Sequence, residues 1–232
     1  MLKIARQNAQ DAEVDHLIHF QQREVKDLRH PKPYGFIIAN PPYGERLEDQ
    51  ETLPQLYTEM KEAFEGFDDL ILCPVSNWVG ERATQSPVLK QYPIRTVLNG
   101  IDTDIFHYRE KEALVLREKL NVGDRKMILH VTASYTDPVK GGKFITELSQ
   151  RLDSEKYVVV VVDGLNNPPP KDFCGIYYGR ANGQEELAAF YSAADVMVLT
   201  SYRECLPTTC LESLCCGTEI VSFYSVSYTH LR

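Results

Sequence analysis

The chain has 232 residues, 43% hydrophobic and 25% charged, enough for one or two soluble globular domains with a buried core. A net charge of -8 and an isoelectric point near 5.3 argue against non-specific nucleic-acid binding, while leaving room for a small RNA-modifying site. No run of about 18 apolar residues is present, so no membrane span is expected. The opening MLKIARQNAQ lacks the apolar core of a signal peptide, which points to the cytoplasm. The six cysteines form no C-x-x-C pair and no His stands at a zinc-like spacing; they read as core thiols, and no metal is expected.

Leu2, Ile4, Ala5 and Ala9 predict a first amphipathic helix. Leu17–Phe20 reads as a short strand, and Tyr34–Asn40 as a strand running into Pro41-Pro42-Tyr43-Gly44. Leu53, Leu56, Tyr57, Met60 and Phe64 recur every three or four residues, a second helix. Leu70–Ser76 reads as a buried strand and Asn77–Leu89 as a short helix. Ile94–Leu98 is a short strand entering the turn Asn99-Gly100-Ile101-Asp102. Lys111–Leu120 is helical, and Lys126–Val131 is a strand followed by Lys140-Gly-Gly-Lys143. A helix over about Phe144–Leu152 precedes Tyr157–Asp163, whose five consecutive Val mark a strand buried on both faces, as in a parallel sheet. Ile176–Tyr178 is a short strand, and Glu185–Ala194 a helix with Leu187, Phe190 and Tyr191 inward. Ala193–Thr200 reads as a buried strand.

The densest information lies beyond that strand. In Tyr202-Arg-Glu-Cys-Leu-Pro-Thr-Thr-Cys-Leu-Glu-Ser213, two carboxylates, Glu204 and Glu212, are separated by seven residues, and Gly217 closes the helix that follows. Strand, loop and helix in this order place Glu204 at the carboxyl end of a parallel strand, where open α/β sheets bind ligands. The helix carrying Glu212 opens on the same crevice, and its amino end favours an anion through free N–H groups and the helix dipole. By spacing alone, the pair also suits the solvated face of an amphipathic helix.

The run E-C-L-P-T-T-C-L-E-S-L-C-C-G-T-E resembles the donor-sugar motif of retaining GT-B glycosyltransferases of family 4, with Cys205 at a usual Gly and Glu219 at a usual Pro. The resemblance implies a Rossmann-like α/β parallel-sheet donor domain, half of a GT-B fold, that takes a nucleotide-diphosphate sugar and passes the sugar to a glycan or lipid acceptor. It implies that Glu204, as the catalytic-site glutamate, holds hydroxyls of the donor sugar, that Glu212 holds the ribose, and that amides around Leu206, Pro207, Thr208 and Thr209 meet sugar and diphosphate. Lys140-Gly141 is similar to the family's K-G, whose lysine neutralises the diphosphate on a loop where Gly lets backbone amides approach phosphate. An Arg often found shortly before that lysine is missing; Tyr135 or Thr136 stands near there. Arg180 and Asn182 border the expected nucleotide base, while His107 and His130 do not substitute for the acceptor-domain histidine.

The run A-N-P-P-Y-G-E-R-L resembles motif IV of class I S-adenosylmethionine-dependent methyltransferases, of the large-subunit ribosomal RNA guanine-N2 type. The Asn40 side-chain carbonyl and the Pro41 carbonyl suit the two hydrogens of an exocyclic amine. Pro41 and Pro42 fix the backbone, and Tyr43 offers a stacking face to a base taken out of its helix. Asn-Pro after a strand is also an ordinary turn. RNA enters as a partner by this resemblance alone, and the Gly-rich loop that binds S-adenosylmethionine has no counterpart.

The expected organisation is therefore a chimera of truncated genes. Residues 1–68 form a fragment of a class I methyltransferase α/β sheet, and 69–100 the end of an acceptor domain and its crossover. Residues 101–224 form the donor domain, and 225–232 a non-native tail. With each chemistry represented by one half, no turnover is expected of either.

Overall fold

The computed structural model describes residues 2–22, 24, 27, 49–65, 70–87, 89–202 and 204–223. The strand expected at Tyr34–Asn40, the candidate residues Asn40, Pro41, Pro42 and Tyr43, and the tail 225–232 lie outside the described residues. The chain divides into two compact units, residues 1–71 with 91–93, and residues 72–90 with 94–232.

In the first unit, helix α1 spans Leu2–Asp11 and α2 spans Asp49–Glu65, as their periodicity predicts. Ala9, Ala63 and Phe64 are buried, while Ala5 of the expected apolar stripe is exposed. Pro54 sits within the second turn of α2, where its missing N–H leaves the Gln50 carbonyl without its helical donor. The strand expected at Leu17–Phe20 does not form. Asp15–Leu17 makes a single 3-10 turn instead, and Leu17 is 74% exposed. Ile18 is extended, but no strand among the described residues pairs with it, and an unpaired apolar segment has nothing to hold it in a sheet.

The second unit is built on a sheet of strands β1 (Lys126–Thr132), β2 (Tyr157–Asp163), β3 (Ile176–Gly179), β4 (Val196–Leu199) and β5 (Ile220–Ser222). Their spatial order is β3-β2-β1-β4-β5, and every pairing is parallel. β1 and β2 pair along their full length, from Lys126 opposite Tyr157 to Thr132 opposite Asp163, and both are buried beyond their first residue.

Helices cover both faces. Met127, Leu129 and Val131 of β1 pack with Val158, Val160 and Val162 of β2. That core takes in α4 (Glu110–Lys119), α6 (Gln184–Ala193) and α7 (Thr208–Cys215). The other face joins Ile128, Val159 and Val161 to Tyr135 and Ile145, the latter from α5 (Gly142–Arg151). Each fully buried valine is worth about 1.5–3 kcal/mol relative to exposure, so the five-valine run anchors the sheet from both sides.

Two sequence expectations at the start of this unit need correction. Leu70–Ser76 and Ile94–Leu98 are not full strands: Leu72 and Ile94 form one isolated parallel bridge, extended by Arg95 N–H to the Leu72 carbonyl and Val97 N–H to the Pro74 carbonyl. Ile71, Val97 and Leu98 are exposed, so apolar composition here does not report burial. Between them α3 (Asn77–Gln85) is capped by Ser76, whose hydroxyl accepts from Val79 N–H at 3.3 Å.

Candidate functional site

β1 is the turning point of the sheet. The chain leaves it through α5 toward β2 on one side and returns through α6 to β4 on its other side. The order reverses at β1, and open α/β sheets bind ligands outside the carboxyl ends of the strands at such a point. The loops after β1 and β4 face each other there and are stitched together. The Thr200 hydroxyl donates to the Lys140 carbonyl at 2.9 Å, and Tyr202 N–H to the Val139 carbonyl at 2.9 Å.

Local sequence makes this approach possible. Asp137 caps a single 3-10 turn, Pro138–Lys140, accepting from Val139 N–H at 2.9 Å. Gly141 follows with φ of 72°, and a Cβ there would fall on the Thr200 carbonyl. A Cβ on Gly142 would strike the Tyr135 carbonyl. The two glycines are thus needed for backbone proximity, and α5 starts directly at Gly142, two residues earlier than its side-chain pattern suggests.

Two predicted site residues meet as a result. Lys140 Nζ lies 2.8 Å from Glu204 Oε1, with the side chains 27% and 16% exposed. Farther along, α7 begins at Thr208 after Pro207, with no side-chain cap on its first turn. Thr208 is exposed and Thr209 half-buried, whereas Leu206 and Pro207 are buried, so the Leu206 side chain belongs to the core.

Glu212, in the second turn of α7, accepts a hydrogen bond from the Tyr191 hydroxyl on Oε2 at 2.7 Å. Cys210 lies close enough to both glutamates to feel their charge. Burial first, then Glu204 and Glu212, push its thiol up to about 12. Cys216 is likewise pushed up to about 11, chiefly by burial. The reading of all six cysteines as core thiols fails for Cys73, Cys174 and Cys215, which are exposed.

The C-G-T run ends α7 in a Schellman motif. Gly217 takes φ of 82°, its N–H donates to the Leu214 carbonyl at 3.0 Å, and Thr218 N–H donates to the Ser213 carbonyl at 3.0 Å. Arg180 and Asn182 are exposed in the loop after β3, each fixed by its backbone: Arg180 N–H to Asn166 Oδ1, Asn182 N–H to Glu186 Oε2. His130 is buried in β1 and His107 is exposed, outside the residues gathered around Lys140.

Sequence reasoning missed Asp163. This fully buried carboxylate accepts from the N–H groups of Tyr135, Leu165 and Asn167, joining the loops after β1 and β2. Its one signal was a lone acid closing the five-valine strand.

Residues 175–229, which include Glu204 and Glu212, match the family described as glycosyl transferases group 1. Residues 1–97, which include Asn40–Tyr43, match the family described as RMKL-like, methyltransferase domain. The chain thus carries matches to two transferase families, in separate stretches.

The second unit has the parallel α/β fold of a GT-B donor half. The second unit's parallel sheet recurs in HepE of Anabaena, solved with UDP-glucose (TM-score 0.62, 16% identity, 79% of this chain and 52% of that one). It recurs in WaaG, a glycosyltransferase involved in lipopolysaccharide biosynthesis (TM-score 0.61, 15% identity, 83% and 57%). The chain is 39% identical over 113 residues to the protein named Putative RNA methyltransferase YpsC of Bacillus subtilis (strain 168), covering 48% of this chain and 29% of that protein. It is also 40% identical over 77 residues to the ribosomal RNA large subunit methyltransferase K/L of Shewanella frigidimarina, covering 32% of this chain and 11% of that protein. The chain therefore spans under a third of these methyltransferases and about half of the glycosyltransferases. The methyltransferase match runs through Leu72–Lys90 and Ile94–Val97, which fold within the second unit. Among the described residues, no helix is long and apolar enough to cross a membrane.

Proposed function

We propose that the second unit is a donor site for a nucleoside diphosphate sugar, of the kind used in retaining glycosyl transfer. The observation that carries this reading is the meeting of Lys140 and Glu204 at 2.8 Å, at the point where the sheet order reverses. In the transfer, the bond between the anomeric carbon and the diphosphate oxygen breaks. The sugar passes to a hydroxyl of a glycan or lipid acceptor with its configuration kept, and the hydroxyl proton leaves toward the diphosphate. Lys140, on the Gly141 turn, neutralises the charge that develops on the leaving diphosphate, helped by the uncapped amides of Thr208 and Thr209. Glu204 accepts hydroxyls of the sugar and orients it, and Glu212 accepts those of the ribose. Because HepE is solved with UDP-glucose, that donor is the first to test. Calorimetric titration of the full chain with UDP-, GDP- and ADP-glucose is expected to give binding to one of them. Lys140→Ala should weaken it by tenfold or more, since a hydrogen bond to a charged group contributes about 1.5–3 kcal/mol. Unchanged affinity in Lys140→Ala would remove the reading.

A second reading concerns the first unit and rests on the 39% identity to YpsC. It assigns Asn40, Pro41, Pro42 and Tyr43 to an RNA base amine, with S-adenosylmethionine as methyl donor. Labelled S-adenosylmethionine with ribosomal RNA, compared between wild type and Asn40→Ala, tests it; methylation that is equal in both excludes the assignment. Both readings use substrates made in the cytoplasm, the compartment proposed here.

A further inference from the structure

Tyr191 is held at both ends. It lies on α6 with 0% exposure, its ring packed 6.3 Å from that of Phe106. Its backbone carbonyl accepts a hydrogen bond from the Thr218 hydroxyl, which the Gly217 turn presents. Its phenol donates to Glu212 Oε2 at 2.7 Å. The turn that ends α7 and the carboxylate within α7 therefore grip the same buried residue of α6.

A glutamate in a helix ordinarily samples several rotamers, and a ligand must then select one. Here a buried hydroxyl occupies one oxygen and fixes the side chain, leaving Oε1 as the acceptor offered to a ligand. Burial, and then the neighbouring Glu212 charge, raise the Tyr191 phenol well above its ordinary value, so it stays a donor throughout the physiological range.

We infer that Tyr191 is the positioning residue for Glu212 and that the pair together sets the preference for a ribose over a 2′-deoxyribose in the bound nucleotide. This inference rests on the reading of Glu212 as the ribose acceptor. Tyr191 itself does not touch the ligand; it acts by holding Glu212 in one orientation.

The test titrates the full chain with UDP and with 2′-deoxy-UDP. Wild type should prefer UDP by about tenfold or more, the effect of one hydrogen bond to a charged acceptor. Glu212→Ala should abolish the preference, and Tyr191→Phe, which deletes only the hydroxyl, should reduce it severalfold. Thr218→Val frees the other end of Tyr191 without touching the phenol; it should lower the melting temperature and leave the preference intact. If Tyr191→Phe does not fold, Glu212→Asp, which withdraws the carboxylate from the phenol, takes its place and should likewise lose the preference. A full preference in Tyr191→Phe or its substitute, with loss in Glu212→Ala, overturns the inference and spares the ribose reading. A preference unchanged in Glu212→Ala, or absent from wild type, overturns both.

Discussion

The ion pair between Lys140 and Glu204 makes a prediction with an unusual sign. A phosphate that approaches Lys140 must compete with a carboxylate already 2.8 Å away, and that carboxylate also repels the phosphate. Neutralising it with Glu204→Gln keeps the shape and an acceptor for the ammonium. Two unit charges about 4 Å apart interact by about 4 kcal/mol at an effective dielectric near 20. Side-chain exposures of 27% and 16% admit solvent screening. The net competition then falls between that figure and the roughly 1 kcal/mol of exposed pairs, about 1–2 kcal/mol, or roughly tenfold in affinity. UDP, which lacks a sugar, should therefore bind Glu204→Gln about tenfold more tightly than wild type. UDP-glucose should gain less, because the variant also weakens the acceptor for the sugar hydroxyls. The preference for the sugar-bearing nucleotide over UDP should fall accordingly. Calorimetry of both ligands at low and moderate salt reads this directly, and the gain for UDP should shrink as salt rises. If UDP binds Glu204→Gln no more tightly than wild type, Lys140 is not the group the phosphate takes from Glu204.

Gly141→Ala combines a left-handed backbone with a side chain placed on the Thr200 carbonyl; it should cost about 2 kcal/mol or more and lower the melting temperature of the second unit by about 4–8 °C, read by circular dichroism. His130 donates from Nδ1 to the Val198 carbonyl at 3.0 Å, while its Nε2 is buried without a partner, and burial lowers its pKa from 6.5 to about 4. The folded state thus binds the proton less readily than the unfolded chain. The resulting stability is complete above pH 6.5 and is lost as pH falls toward 4, a change of about 3 kcal/mol. Urea midpoints at pH 7 and pH 4.5 should show this slope in wild type and less of it in His130→Leu. Thiol labelling at pH 8 should modify Cys73, Cys174 and Cys215 quickly, while Cys210 and Cys216 react only on unfolding, because burial holds both thiols protonated.

The sheet was legible where burial acts on both faces. The valines of β2 and the Lys126–Thr132 run of β1 admit no other placement in a soluble fold, and the helices between them follow from their apolar spacing. That Glu204 follows β4 and that Glu212 lies in the next helix was legible from the strand, loop and helix order, whereas reading them as a pair came from the resemblance of their run to a donor-sugar motif. Leu17–Phe20 and Leu70–Ser76 misled for a common reason. A short apolar run becomes a strand only when another strand is beside it, and that partner is a tertiary fact. The role of Gly142 was hidden as well, because what it accommodates, the Tyr135 carbonyl, comes from a loop seven residues upstream. Tyr191 was readable as an inward residue, but its bond to Glu212 joins positions 21 residues apart, and only the packing of α6 against α7 reveals it.

On the proposed function, the loops after β1 and β4 form a nucleotide-diphosphate sugar site. A crystal structure of the full chain grown with UDP tests it most directly. The account predicts the terminal phosphate on Lys140 Nζ and the first-turn amides of α7, with the ribose hydroxyls on Glu212 Oε1. A nucleotide bound away from the carboxyl ends of β1 and β4, with the Lys140–Glu204 pair still closed, would contradict it.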